Sequence, residues 1–389
     1  MVIHELFKSP LIYFGRGSIG RVTTLKGERV LIVTDKNIKQ LGIVGDVEKR
    51  LQEKKIQVEV FDDVEPDPKD STVSKCLGVA TKFKPDWFLG LGGGSPMDVA
   101  KATFLLYERP DIKLTTVNLL VDYGLRKKSR LAAIPTTSGT GSEVSIGCAI
   151  IETKTGRKHT LTSFELVPDV AIVDPQLAFK MPPKLRADTG LDALAHALES
   201  HLTKVSNQFT GAEAIRALQI VFQQLTKSVG EGKEEAMEEM HYAATLAGSA
   251  MSYSGLTMAH SIGHAIGTAF HVPHGLAVAL SLPYMIEYSA KASKEKYLEI
   301  LTALQIHGAT AQNSTEKLLA MIRQLMSDIK EPQSITELNL NADEFTKMIP
   351  TMAAFASADL CTFTSPRVPT TKEFAAIMQS MLRGKAMDQ

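Results

Sequence analysis

The chain has 389 residues, with 43 basic and 43 acidic side chains, a hydrophobic content of 44% and an aromatic content of 6%. A chain of this length is expected to form two or three domains, each large enough to bury its own core. Because the formal net charge is zero, no long-range field attracts polyanions, and neither nucleic acid nor a membrane is expected as a partner.

The three cysteines, Cys76, Cys148 and Cys361, are too few and too scattered for a disulfide framework or a cysteine-rich zinc site. The start of the chain lacks the basic, apolar and small-residue segments of a secretory signal. No apolar stretch approaches the roughly twenty residues of a transmembrane helix. These features favour a cytoplasmic protein.

Short β-rich segments alternate with helical segments in the first half of the chain. Strands are predicted at residues 29–34, 57–61, 87–91, 131–134 and 170–173, with helices at 38–55 and 71–84. Such alternation is typical of a doubly wound, mostly parallel sheet. Beyond residues 181–183 the strand-like segments disappear and helical segments continue to the end. We therefore predict an α/β domain over residues 1–183 and an all-helical domain over residues 184–389.

Two glycine-rich segments in the first half compete as dinucleotide-binding turns. Residues 15–20 have the GxGxxG spacing, and Asp35 follows where a ribose-binding acid would be expected. Too few residues separate this segment from the next strand for a crossover helix, so we interpret it as a plain turn.

The stronger signal is at residues 92–98, which follow a buried strand and open a predicted helix at 99–107. Glycines there would let backbone N–H groups and the positive helix end approach a pyrophosphate. A strand-to-helix turn without a ligand is the alternative. The hydroxyl-rich segment 135–143 follows the next strand and could bind sugar and phosphate oxygens, although such loops are often only turns.

Asp35 ends its own strand, where it could accept both ribose hydroxyls while repelling an extra 2′-phosphate. This placement favours NAD over NADP. Capping of the helix that follows is an equally good interpretation of Asp35 taken alone.

A metal-ligand pattern lies in the second half. Asp192 and His196 are four residues apart in a predicted helix and share one face, although such a pair is more often hydrogen-bonded in a core. Four of the ten histidines fall within residues 260–274. Neutral imidazoles with one carboxylate suit Fe²⁺, Zn²⁺ or another divalent ion. We predict four ligands: Asp192, His196, His260 and His274.

His264 follows His260 by one helical turn and is left over from this ligand set. It is positioned for proton transfer beside the metal. His271 is a weaker candidate for the same role.

Motifs spread over nearly the whole chain resemble those of the iron-containing, group III alcohol dehydrogenase family, which includes lactaldehyde reductase and 1,3-propanediol dehydrogenase. They are FGRGSIG, GGGSPMDVAK, AIPTTSGTGSEV, VPDVAIVDPQL, TGLDALAHALE, MAHSIGHAIG and VPHG. The resemblance implies the dehydroquinate synthase-like fold, with a dinucleotide-binding α/β domain, an all-α domain and the active site between them. It also implies a homodimer or larger homo-oligomer.

The family's metal ligands match the four residues chosen above. The resemblance implies cofactor contacts at Asp35, Asp67, Gly93, Gly94, Ser95, Thr136, Thr137, Thr140 and Lys158. Asp98 is a further candidate for a cofactor contact. Asp67 stands where relatives commonly have Asn. Residues 114–130 and 361–367 depart from the family pattern, which leaves the substrate open.

The expected reaction is hydride transfer between NAD(H) and a small alcohol or aldehyde, with the metal as Lewis acid and a catalytic centre formed by His264 and the four ligands. A glycerol dehydrogenase-like enzyme acting on a polyol or hydroxy acid is the alternative. The intact set of one aspartate and three histidines disfavours a dehydroquinate synthase. The complete motifs disfavour a silent nucleotide-binding protein.

Overall fold

The computed structural model describes residues 6–384. These residues divide into two compact units, one formed by Lys8–Lys180 and the other by residues 181–384 together with Leu6 and Phe7. Nowhere in residues 6–384 is there a helix both long and apolar enough to cross a bilayer.

The unit Lys8–Lys180 is built on a six-stranded sheet in which all neighbouring strands are parallel. Its strands, in the spatial order β1-β8-β5-β4-β2-β3, are β1 (Leu11–Phe14), β2 (Arg29–Val33), β3 (Gln57–Phe61), β4 (Trp87–Gly92), β5 (Arg130–Pro135) and β8 (Val170–Val173). An antiparallel pair is formed by β6 (Gly147–Ile151) and β7 (Lys158–Thr162). The helices of this unit are α1 (Lys36–Gln40), α2 (Ile43–Glu53), α3 (Asp70–Phe83) and α4 (Gly94–Glu108).

Both faces of this sheet are covered by apolar side chains. Along β2, Leu31 and Val33 pack into one apolar cluster, whereas Val30 and Ile32 pack into the cluster on the opposite face. A strand buried on both faces reads as a continuous apolar run rather than an alternating one, which explains the composition of the predicted strands. The doubly wound, parallel prediction is confirmed.

Two local features differ from the predictions. The single helix predicted at residues 38–55 is interrupted because Gly42 has a positive φ of 82°, which separates α1 from α2. The strands β1, β6 and β7 were not among the predicted strands. β1 has only four residues, none of them buried, so it lacks the apolar burial pattern that identifies its neighbours.

The second unit contains helices and no strand among its described residues. Its helices are α5 (Pro183–Leu202), α6 (Gln208–Gly230), α7 (Glu234–Ser254), α8 (Met258–Phe270), α9 (His274–Ala303), α10 (Ser314–Asp328), α11 (Ala342–Ala358), α12 (Leu360–Phe363) and α13 (Thr371–Arg383). Every residue from 190 to 202 in α5 is buried, because α6, α7 and α9 pack around this helix. Polar residues in that stretch therefore lie inside the unit.

Candidate metal and cofactor sites

Three helices of the second unit bring the four predicted metal ligands together. α5 carries Asp192 and His196, and α8 carries His260. His274 is the first residue of α9. Asp192, His196 and His260 are all buried, whereas the side chain of His274 is 39% exposed. Three of the four side chains are thus buried and one is partly exposed.

The ligand atoms converge on one carboxylate oxygen. The Nε2 atoms of His196, His260 and His274 lie 3.6, 3.8 and 3.5 Å from Asp192 Oδ1. These distances exceed hydrogen-bond length, and neither Asp192 Oδ1 nor His260 Nε2 has a hydrogen-bond partner. Atoms that each bind one ion at about 2.0–2.2 Å lie roughly 3.3–3.6 Å apart in a tetrahedral site. The arrangement therefore fits a divalent metal ion.

Three of the four predicted ligands have ligand atoms that all lie close to one another. Ligand atoms of Asp192, His260 and His274 all lie within 4.8 Å of one another. His196 joins this group through Asp192 and through its ring, which stacks on that of His260 with centroids 4.9 Å apart. His196 therefore lies beside this group, although it is not within the same mutual distance.

Glu199 contacts a predicted metal ligand, a contact that the sequence analysis missed. Its buried carboxylate accepts hydrogen bonds from Thr257 Oγ1 at 2.6 Å, from the backbone N–H of His260 at 3.2 Å, and from Nδ1 of the same histidine. The bond to Nδ1 holds the ring so that Nε2 faces Asp192, as carboxylates behind metal-bound histidines do. The sequence feature that could have identified Glu199 is its position three residues after His196, in the buried half of α5.

Two buried carboxylates make this centre favourable for positive charge. Burial lowers the pKa of His260, but the Glu199 and Asp192 carboxylates outweigh this effect and raise it to about 9. Burial likewise opposes ionisation of Asp192, yet the surrounding imidazoles hold its pKa below the usual range. A cation, whether a proton or a metal ion, is thus stabilised between these residues.

The two remaining histidines of the cluster have different surroundings. His264 Nδ1 lies 2.9 Å from Asp359 Oδ2, a partner that the sequence analysis did not identify. Burial raises the pKa of Asp359, but the hydrogen bond and charge of His264 outweigh it and lower that pKa to about 2. His271 ends α8 in the left-handed conformation, with φ of 54°. It therefore lies at the turn from α8 into α9.

The predicted phosphate-binding turn lies in the other unit, at the carboxyl ends of adjacent strands. β4 ends at Gly92 and β5 at Pro135, and these two residues are paired in the parallel register. A Cβ on Gly93 would lie 3.4 Å from Thr137 Cγ2, and one on Gly94 3.2 Å from Thr140 Cγ2. The glycine turn and the hydroxyl-rich turn therefore pack against each other.

The first turn of α4 and the residue after β5 contribute further polar groups to this edge of the sheet. α4 begins at Gly94, so Ser95 lies in its first turn. Thr136 donates its backbone N–H to the carbonyl oxygen of Gly92 at 2.9 Å, and its buried Oγ1 has no hydrogen-bond partner. Backbone donors and a hydroxyl are thus concentrated at one edge of the sheet.

Asp35 caps the helix that follows it and also lies beside the glycine turn. Its Oδ1 caps α1 by accepting from the backbone N–H groups of Asn37 at 2.8 Å and Ile38 at 3.0 Å. Its Oδ2 points toward the glycine turn, 3.6 Å from where a Cβ on Gly92 would lie. Capping therefore occupies one oxygen and leaves the other beside the predicted phosphate site.

Three other predicted cofactor contacts already have protein partners. Lys158 Nζ lies 2.6 Å from Asp67 Oδ1. Asp98 accepts hydrogen bonds from Ser142 Oγ at 3.3 Å and from the backbone N–H of Ala149 at 3.2 Å. Burial raises the pKa of Asp98 to about 6. Asp98 links α4 to β6 and to the hydroxyl-rich turn.

Comparison with known proteins identifies relatives along the whole length. The family model described as iron-containing alcohol dehydrogenase matches residues 9–175, and that of the C-terminal part of the Fe-containing alcohol dehydrogenase family matches residues 186–382. An NADPH-dependent butanol dehydrogenase of Clostridium saccharobutylicum is 37% identical over 97% of both chains. The bifunctional aldehyde-alcohol dehydrogenase of Escherichia coli K12 is 35% identical over 99% of this chain, which spans 47% of that protein.

A solved structure has the same fold. The iron-containing alcohol dehydrogenase from Thermococcus thioreducens superposes with a TM-score of 0.88 and 32% sequence identity, covering 98% of this chain and 100% of that one.

Proposed function

The chain belongs to the iron-containing alcohol dehydrogenase family, and on that basis we propose that it interconverts a small alcohol and its carbonyl compound, with a nicotinamide cofactor as hydride carrier. It is an oxidoreductase of the alcohol dehydrogenase type. The observation that carries the proposal is the convergence of three imidazole Nε2 atoms on Asp192 Oδ1, at 3.5 to 3.8 Å.

We assign Asp192, His196, His260 and His274 as the residues that hold the metal ion. The family name points to iron, and the same donor set also suits zinc. When bound, such an ion supplies Lewis acidity that lowers the pKa of an alcohol and polarises a carbonyl group. Glu199 holds His260 in place, and His264 takes the proton from the alcohol.

The cofactor is assigned to the edge where β2, β4 and β5 end. Gly93, Gly94 and Ser95 would offer backbone N–H groups to its phosphates, as glycine turns at helix N-termini do. Thr136, Thr137 and Thr140 would bind the phosphate or sugar oxygens, and the pair Asp67 and Lys158 would lie beside them. The bound nicotinamide carries the hydride, while the protein provides orientation.

The finer assignments rest on the sequence. Asp35 favours NAD, the few scattered cysteines favour the cytoplasm, and the family resemblance favours a homodimer or larger homo-oligomer.

The reaction is tested with purified protein supplied with Fe²⁺ or Zn²⁺ under reducing conditions. We expect NADH formation, followed by absorbance, with at least one member of a panel of short primary alcohols, diols and hydroxy acids. The best substrate would distinguish a simple alcohol dehydrogenase from a polyol-specific enzyme. Turnover with none of them, at stoichiometric metal, would contradict the proposal.

Cofactor preference is tested by the variant Asp35→Ser. Serine can still cap α1, but it removes the negative charge beside the ribose. We expect the ratio of kcat/KM for NADP to that for NAD to rise by roughly fivefold or more, because a carboxylate near a 2′-phosphate costs on the order of 1 kcal/mol or more at moderate ionic strength. Wild-type preference for NADP, the cofactor named for the butanol dehydrogenase, with an unchanged ratio in the variant, would remove Asp35 from this role.

A further inference from the structure

The two ring nitrogens of His264 have different environments. Nδ1 lies 2.9 Å from Asp359 Oδ2. The ring stacks on that of His274, with centroids 5.3 Å apart and an interplanar angle of 15°, and meets His260 edge-on at 5.9 Å. His264 thus lies against the metal-ligand cluster, with its Nδ1 side turned to a carboxylate.

Asp359 is itself held in a fixed orientation. It caps α12, and its Oδ1 accepts the backbone N–H of Cys361 at 2.8 Å and a longer bond from Ser261 Oγ at 3.4 Å. Ser261 Oγ accepts in turn from Thr362 Oγ1 at 2.8 Å. Oδ1 of Asp359 is therefore held by the first turn of α12, and Oδ2 is hydrogen-bonded to His264.

We propose that Asp359 is a positioning residue for proton transfer, because it fixes the tautomer of His264 that carries hydrogen on Nδ1 and leaves Nε2 as the acceptor. An ionised carboxylate only accepts hydrogen bonds, so Nδ1 must donate. This inference rests on the proposed function: when the alcohol is oxidised, its O–H bond breaks, the electron pair stays on oxygen and the proton bonds to Nε2. The C–H bond breaks as well, the oxygen electron pair forms the carbonyl double bond, and the hydride is transferred to the nicotinamide cofactor of the proposed function. The resulting imidazolium keeps its Nδ1–H bond to Asp359, and the proton returns along the same route when a carbonyl compound is reduced.

The variant Asp359→Asn reverses this preference for a structural reason. The amide oxygen must occupy the Oδ1 position, since the backbone N–H of Cys361 requires an acceptor there. The amide NH₂ then faces His264 Nδ1 and donates to it, which places the ring hydrogen on Nε2. A histidine in that tautomer cannot accept the proton of the alcohol.

The first measurement is steady-state kinetics of the metal-loaded enzyme. We expect kcat for alcohol oxidation to fall about a hundredfold or more, the usual contribution of a positioned acid or base. The metal content and KM should change by no more than about twofold, which a general loss of structure would not allow. The matched control is Asp343→Asn, which changes an exposed carboxylate in the first turn of α11 and should leave all three quantities unchanged.

The second measurement reads the tautomer directly, without turnover. Nitrogen-15 NMR of histidine-labelled, zinc-loaded protein should show His264 protonated at Nδ1 in the wild type and at Nε2 in Asp359→Asn, with the signal assigned by its loss in His264→Gln. The same tautomer in both proteins, or an unchanged kcat, would overturn the proposal. The expected NMR result in a protein that oxidises no alcohol would instead contradict the proposed function while leaving the placement of the proton intact.

Ligand atoms of His264, Asp359 and Cys361 also lie within 4.8 Å of one another. A second equivalent of zinc that is lost in Asp359→Asn would therefore overturn the proposal too, because it would make this group a metal site.

Discussion

Replacing Asp192 by alanine is expected to abolish stoichiometric metal binding and to lower kcat/KM for the alcohol by a factor of roughly 10³ or more. Asp192 is the one anionic donor among the four proposed ligands, and its Oδ1 is the atom on which the three Nε2 atoms converge at 3.5 to 3.8 Å. Without it, three imidazoles and no anionic ligand remain beside an unfilled space in the core of the unit. The rate effect follows because Lewis-acid stabilisation supplies several kcal/mol.

Metal content after dialysis, measured by elemental analysis alongside NADH formation, checks this expectation. The matched control is Asp188→Asn, which lies one turn earlier on α5. Asp188 Oδ1 contacts Lys184 Nζ at 2.9 Å rather than a histidine, so this variant should retain one metal ion per chain and an activity within about threefold of wild type. Asp192→Ala protein that keeps a full equivalent of metal would show that the four-ligand assignment is wrong.

The features that could be predicted from the sequence are those that depend on regular spacing. β2 and β4 are apolar on both faces and are bounded by turn residues, so their place in a parallel sheet was evident. Asp192 and His196 are separated by four residues in a helix, which fixes their common face whatever surrounds them. These predictions depend only on the regular geometry of a single strand or helix.

Glu199 and Asp359 could not be predicted from residue patterns in the same way, because their roles depend on contacts between distant segments. Glu199 meets a histidine 61 positions away, and Asp359 meets one 95 positions away. A carboxylate in a helix or before a short one is more often a solvated residue or a cap. Only the burial produced by packing α5 and the start of α12 against α8 makes these two groups partners of histidine.

Gly275 is expected to be as important to the metal centre as a ligand, although it has no side chain. It follows His274 in the first turn of α9, and a Cβ at this position would lie 2.0 Å from the backbone oxygen of Asp188 and 3.0 Å from Asp192 Cβ. Backbone atoms of a buried helix cannot move away as the end of a flexible side chain could. The variant Gly275→Ala must therefore displace α9 from α5.

That displacement separates His274 from Asp192. We expect Gly275→Ala to lower the free energy of unfolding of the metal-free protein by about 2–3 kcal/mol, the usual cost of overpacking a core. Metal affinity should fall by roughly tenfold or more, because the ligands must first be brought back together. Denaturant unfolding and a competitive metal titration measure the two effects separately.

The control for this prediction is Gly78→Ala in α3, where a Cβ would have no atom within 4 Å. Alanine is a better helix former than glycine by up to about 1 kcal/mol, so this variant should be as stable as wild type or more so, with unchanged metal affinity. If Gly275→Ala behaved in the same way, α9 could not approach α5 as closely as described. The short distance between His274 and Asp192 would then lose its structural basis, because that distance depends on the absence of a side chain at residue 275.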